Sequence, residues 1–154
     1  ALFLTYFIMA PVFESIYKDA FQPYTEEEIS AEVALERAEG PMREFMLGQT
    51  READILMFAE IANYELTNSP QDLPFRILVP SFMVSELKTA FTIGFLIYIP
   101  FVIIDLVVAS ILMSMGMMML SPMIISMPFK LMLFVLADGW SLITRSITTS
   151  FVFP

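Results

Sequence analysis

The 154-residue chain contains no cysteine and no histidine. Disulfides, thiolate chemistry, Cys or His metal sites and Ser-His-Asp triads are therefore excluded by inventory. Bases are scarce: eight Lys and Arg stand against seventeen Asp and Glu, for a formal charge of −9. That acidic balance argues against nucleic acid as a partner. So few bases also give the positive-inside rule little to work on for membrane orientation. The phosphate-loop pattern GxxxxGK[ST], HExxH and GxSxG are all missing. Asp105 and Asp138 lack the GxGD setting of intramembrane aspartyl proteases. Neither an enzyme nor a cofactor site is expected.

Apolar surface is in excess. Hydrophobic residues make up 57% of the chain, against about 45–50% in ordinary globular domains. A domain of this length has little interior in which to bury that surplus, so it must face lipid or other subunits. Charge is placed unevenly. Residues 14–76 carry fourteen acids and five bases, whereas residues 77–154 carry only Glu86, Asp105 and Asp138 against Lys88, Lys130 and Arg145.

The pattern predicts an all-α, membrane-type chain forming one domain, in which long kinked apolar helices form hairpins beside short amphipathic ones. Residues 1–21 read as an apolar helix that turns polar at Glu14, Lys18 and Asp19, with Pro11 able to kink it. Its dozen or so apolar residues fall short of the roughly 20 needed to span a bilayer. Ala1 opens directly into this stretch, and no signal peptide is visible. Residues 22–68 read as acidic amphipathic helices. Thr25 and Glu28 have capping-box spacing, and Glu26, Glu27 and Glu28 would favour a helix start. Gly40-Pro41 is expected to end one helix and begin another. Met42, Phe45, Met46 and Gln49 then share a face, followed by Ile55, Met57, Phe58, Ile61, Ala62 and Leu66, mostly in helical period. Residues 69–80, with Pro70, Pro74 and Pro80, read as a turn-rich connector. Residues 81–154 form the apolar hairpin, bending at Pro100. An apolar helix of some 30 residues is about 45 Å long, more than a hydrocarbon core of about 30 Å. Its second arm begins near residue 121 and continues through Asp138-Gly139-Trp140 and Arg145 into a Ser/Thr-rich tail.

Two sets of residues are candidates for function. Met113, Met115, Met117, Met118 and Met119 crowd the uncharged hairpin turn around a hinge at Gly116. Methionine is flexible and polarizable and fills irregular space. A ring of these side chains from several subunits would close a pore to ions yet yield to a polypeptide; the plainer reading is an ordinary hydrophobic turn. The second set is the charges in apolar surroundings. A charge at membrane depth costs about 2.5–3.5 kcal/mol on insertion scales, so such groups pair, line a wet cavity or snorkel. Arg51, Glu86 and Lys130 are a candidate network between helices or subunits. Asp105 is the most buried-looking charge: it would either relay protons or bond a neighbouring helix. A pore subunit, an ion or proton channel subunit and a passive membrane scaffold all fit these features.

The back half carries a denser signal: LVPSFMVSELKTAF at 78–91, IGFLIYIPF at 93–101, IDLVVAS at 104–110, MSMGMMML at 113–120, PFKL at 128–131 and ADGW at 137–140. With READI at 51–55, these stretches resemble the FliP family of flagellar type III export-gate proteins and the similar SctR proteins of injectisomes. The resemblance implies a homopentamer joined by FliQ-like and FliR-like subunits in a closed helical cone. Contact with FlhB- and FlhA-like export components is also expected. Such a complex lies in the bacterial inner membrane at the centre of the flagellar basal body, reaches the periplasmic side and passes unfolded flagellar proteins. The resemblance further implies that the methionine-rich loop is a pore gasket, mapping onto Met117, Met118 and Met119 with Met115 beside them. Family precursors begin with a cleaved signal sequence and a further N-terminal stretch.

Overall fold

A computed structural model describes residues 1–65 and 70–151, and among these every regular element is helical. Leu66, expected at the end of a helical pattern, and the first residue of the proline-rich connector lie outside the described residues. The chain forms two compact units, one of residues 1–88 with the chain end from Phe151, the other Thr89–Ser150.

The first unit opens with α1 (Leu2–Ile16), which runs through Pro11 into a π-type turn at Tyr17–Phe21 and the short α2 (Gln22–Thr25). Leu4, Ile8, Val12 and Ile16 recur every four residues and form its inward ridge. The capping box expected at Thr25 does not form. Thr25 is instead the last residue of α2, its hydroxyl donating to the Gln22 carbonyl at 2.8 Å. Glu27 then takes a left-handed backbone (φ 60°), and the Glu27 and Glu28 N–H groups donate to the carbonyls of Tyr24 and Pro23. That is a Schellman helix end, so the glutamates close one helix instead of starting the next. The cap of α3 (Ala31–Gln49) is Ser30, whose hydroxyl accepts from the Val33 N–H at 3.4 Å.

A second expectation also fails: α3 passes through Gly40-Pro41 without a break. Much of the pre-proline clash involves the Cβ of the preceding residue, and Gly40 has none. Downstream, Phe45 and Met46 enter the core, as their spacing predicts. After Thr50, α4 (Glu52–Ile61) ends on Asn63 in the left-handed region (φ 48°), with the Tyr64 N–H returning to the Ala59 carbonyl.

The connector is shorter than expected. A 3-10 turn at Pro70–Asp72 leads directly into α5 (Phe75–Ser114), so Pro80 lies inside a helix. Burial accounts for the early start, since Ile77 and Leu78 are fully enclosed with Ile8, Val12, Phe45, Met46 and Leu73. Phe45 meets the edge of Phe82 at 6.0 Å and stacks on Phe151 at 6.3 Å.

The second unit contains the rest of α5, then α6 (Pro122–Leu136) and α7 (Gly139–Thr149). The expected continuous second arm is broken: α6 and α7 bend by 62°. Asp138 at the break is left-handed (φ 49°, ψ 53°) and its carbonyl accepts from the Leu142 N–H. Gly139 is required there because a Cβ would collide with the Phe134 ring. Trp140 then meets Phe134 edge-on at 5.3 Å. Among the described residues, α5 is by length and composition the one helix able to cross a membrane, with α6 and α7 qualifying only as a bent pair.

Candidate functional site

The methionine turn is built by the end of α5. Gly116 takes φ +72°, its N–H donates to the Met113 carbonyl at 3.1 Å, and the Met117 N–H donates to the Leu112 carbonyl at 2.9 Å. These two bonds form a Schellman motif with Gly116 at the left-handed position, where side-chain-bearing residues are strained. The residue expected as a hinge thus has a defined local role: it stops α5 and reverses the chain. Met117 to Leu120 then close a turn, the Leu120 N–H donating to the Met117 carbonyl at 3.4 Å. Met118 and Met119 occupy its two central positions and project outward, and Met115 and Met117 are exposed beside them. No charged residue lies between Asp105 and Lys130, so the tip is wholly uncharged.

Below the tip, Asp105 on α5 faces α6. Its carboxylate accepts from the Ser126 hydroxyl and, at 2.6 Å, from Lys130 Nζ. Ser126 and Lys130 are one helical turn apart and therefore present donors from one face. Asp105 thereby has the structural partner that sequence reasoning left unnamed. Open apolar hollows lie along the same helices, one of about 380 Å³ lined by Ile104, Val108, Leu112, Ile125 and Phe129. Another, of about 290 Å³, is lined by Leu96, Pro100, Phe101, Phe134 and Ile143.

Arg51 belongs to the first unit, at the cap position of α4. Its backbone N–H donates to Ser85 Oγ at 3.0 Å and its Nη2 to the Ser85 carbonyl at 3.1 Å. Nε also donates to Asp54 Oδ2 at 3.1 Å. Ser81, one turn before Ser85, donates to the carbonyls of Ile77 and Asp54 at 2.7 and 3.3 Å. Both serines are almost completely buried. Their small satisfied hydroxyls let α4 lie close against α5 without orphaned polar groups. Glu86 follows Ser85 and lies within the electrostatic reach of Arg51. Of the candidate network, the structure brings Arg51 and Glu86 to one locality, while Lys130 faces Asp105 in the other unit.

Arg43 was not singled out from the sequence. Its guanidinium donates to the Leu73 carbonyl and to Glu39, and it lies 4.4 Å over the Phe75 ring. It ties the start of α5 to α3. The Glu39/Arg43 spacing of four is the only local signal, and the partners 30 or more residues away have none.

Among the described residues, no group of three or more potential metal-ligating side chains occurs.

Comparison with known proteins gives a consistent result. The sequence profile of the FliP family matches residues 1–147. The chain is similar to the flagellar biosynthetic protein FliP of Pectobacterium carotovorum, 55% identical over 150 residues, covering 97% of this chain and 58% of that protein. The protein of the same name from Bacillus subtilis is 55% identical over 151 residues, covering 98% of this chain and 68% of the relative. That from Aquifex aeolicus is 52% identical over 153 residues, covering 98% and 64%. The chain thus spans roughly two fifths to two thirds of the curated relatives it matches.

Proposed function

The chain belongs to the FliP family, and on that premise we propose that it is a pore-forming component of the flagellar protein export apparatus. In this reading several copies, five by family resemblance, assemble with FliQ-like and FliR-like subunits in the bacterial inner membrane. FlhB- and FlhA-like components contact the complex, which passes unfolded flagellar proteins toward the periplasmic side. The Met115, Met117, Met118 and Met119 turns of neighbouring copies meet and seal the pore. The observation that carries this reading is the uncharged tip itself: four methionines surround a left-handed Gly116, and none of the four is buried in its own chain. Soft apolar side chains can close around nothing and re-pack around a moving chain.

The charges have a place in the same proposal. Arg51 and Glu86 line one wall of a contact between copies, and Lys130 completes the network by exchanging Asp105 for a neighbour's Glu86. Reversal of Glu86 to Lys is expected to abolish assembly, with partial recovery when Lys130 is reversed to Glu. Normal assembly of the Glu86→Lys protein would remove the network from the proposal.

The seal is tested by truncating Met117, Met118 and Met119 to Ala in the full-length protein and measuring ion leak across membranes holding the assembled complex. The proposal expects a leak from the variant and none from the parent. A proton channel titrating at Asp105 would instead show pH-selective conductance in the parent, abolished by Asp105→Asn. The Lys130 and Ser126 bonds to that carboxylate favour the seal, because a proton-relay group held by a cation is poorly placed to exchange its proton. A passive scaffold would show neither conductance.

A further inference from the structure

The second unit holds four charged side chains: Asp105, Lys130, Asp138 and Arg145. Asp105 and Lys130 pair with each other. Among the described residues, the side chains of Asp138 and Arg145 have no hydrogen-bond or ion-pair partner. We propose that these two complete each other between copies, the Asp138 carboxylate of one copy meeting the Arg145 guanidinium of the next. The inference rests on the multi-copy pore reading above and names a contact within it.

Asp138 occupies the cap position of α7, where an aspartate commonly accepts from a helix N–H. Here its backbone is left-handed and its carboxylate makes no cap bond. Arg145 follows seven positions later, two helical turns, which puts it on the same side of α7 about 10 Å away. That is beyond the spacings of three or four at which charges pair along one helix. Ser141 and Thr148 share this side. On the other side Trp140 packs on Phe134, and Ile143 lines the hollow with Leu96 and Phe134. The helix therefore turns its apolar side toward its own chain and its polar side away. A polar side carrying an acid and a base is costly against hydrocarbon, and such groups pair where they can. A second copy supplies both signs at the same spacing. The 62° elbow between α6 and α7 makes the match geometrically direct. With α6 along the pore, α7 runs mostly across it, and positions 138 and 145 are displaced around the ring. The acid of each copy then faces the base of its neighbour, a head-to-tail contact of the kind that closes rings.

The experiment uses the full-length protein co-expressed with its FliQ-like and FliR-like subunits, with assembled complex quantified by native mass spectrometry. Asp138→Asn keeps a residue type tolerant of the left-handed backbone. It and Arg145→Gln each orphan one charge, and each is expected to lower the yield of complex about tenfold. The double variant, with neither charge, should recover most of that yield. Losses that simply add in the double variant would overturn the pairing, as would single variants that assemble like the parent. Cross-linking identifies the neighbour. These 154 residues contain no cysteine, so Asp138→Cys with Arg145→Cys places two new thiols on a clean background. A short bifunctional maleimide should join the double variant into a ladder of two, three and more copies, and neither single variant into any. A ladder from a single variant, a cross-link to a different subunit, or no ladder at all would overturn the proposal. If the parent forms its multi-copy complex and the ladder is missing, the pore reading stands and the ion pair falls. If the parent forms no multi-copy complex, the pore reading itself is wrong.

Discussion

Phe45 and Phe95 are the same residue type in opposite circumstances. Phe45 lies among Ile8, Val12, Met46, Ile77 and Leu78, with Phe82 and Phe151 against its ring. Phe95 is 64% exposed, as are most of the large apolar side chains around it on α5 and many on α6. The first unit completes a hydrophobic core within one chain and satisfies its buried serines with Arg51 and backbone carbonyls. The second has a polar joint, Asp105 with Ser126 and Lys130, and leaves apolar hollows along its helices. An apolar surface this continuous marks a site covered by lipid or protein. The lesson is that one half of the chain encloses a hydrophobic core of its own, while the other leaves most of its apolar surface exposed.

That contrast can be broken most directly at the two phenylalanines. Phe45→Ala is expected to cost about 3–5 kcal/mol and to unfold the first unit, read as a large fall in melting temperature of the purified protein. Phe95→Ala should leave that transition almost unchanged and lower only the yield of assembled complex. Equal effects on the melting temperature would erase the distinction between the halves.

Next in size is the α6–α7 elbow. Gly139→Ala drives a methyl into the Phe134 ring, and overpacking of this kind costs about 1–3 kcal/mol. Pairing it with Phe134→Leu should restore much of the assembly yield, because the obstruction is the ring. A smaller effect is expected at the tip. Gly116→Ala puts a Cβ on a left-handed residue with open space around it, a backbone penalty of about 1–2 kcal/mol. Asn at 116 should be milder, and chemical denaturation of the three proteins would rank them.

The smallest effect lies at Glu14 and Lys18, one turn apart on the surface and 2.6 Å from each other. The hydrogen bond and charge of Lys18 hold the Glu14 carboxyl below its ordinary value. A depressed carboxylate stabilises the fold at neutral pH, and that contribution fades as pH falls through its folded-state value. Exposed pairs are weak, so Glu14→Gln should lower the melting temperature slightly at pH 7 and not at all in strong acid.

Periodicity made much of this architecture readable before any coordinates. The α3 face of Met42, Phe45 and Met46, the apolar α5 and the uncharged turn at Gly116 all follow from local pattern. What misled was punctuation whose meaning depends on distant contacts. Thr25 and Glu28 matched a cap, yet Ser30 offered a better one after Glu27 turned the chain. Pro41 and Pro80 have the local look of boundaries, but Gly40 relieves the one, and burial of Ile77 and Leu78 draws the helix past the other. The elbow at Asp138 escaped notice because it depends on Phe134 lying over Gly139. The pairing of Asp105 with Lys130 joins residues 25 apart, and no local spacing encodes it.

The central claim, a pore subunit completed by other chains, is tested most directly by native mass spectrometry. The full-length protein would be co-expressed with its FliQ-like and FliR-like partners and extracted in detergent. The account predicts one discrete complex holding several copies of this protein together with both partners. A lone monomer, or a homo-oligomer that excludes them, would contradict it.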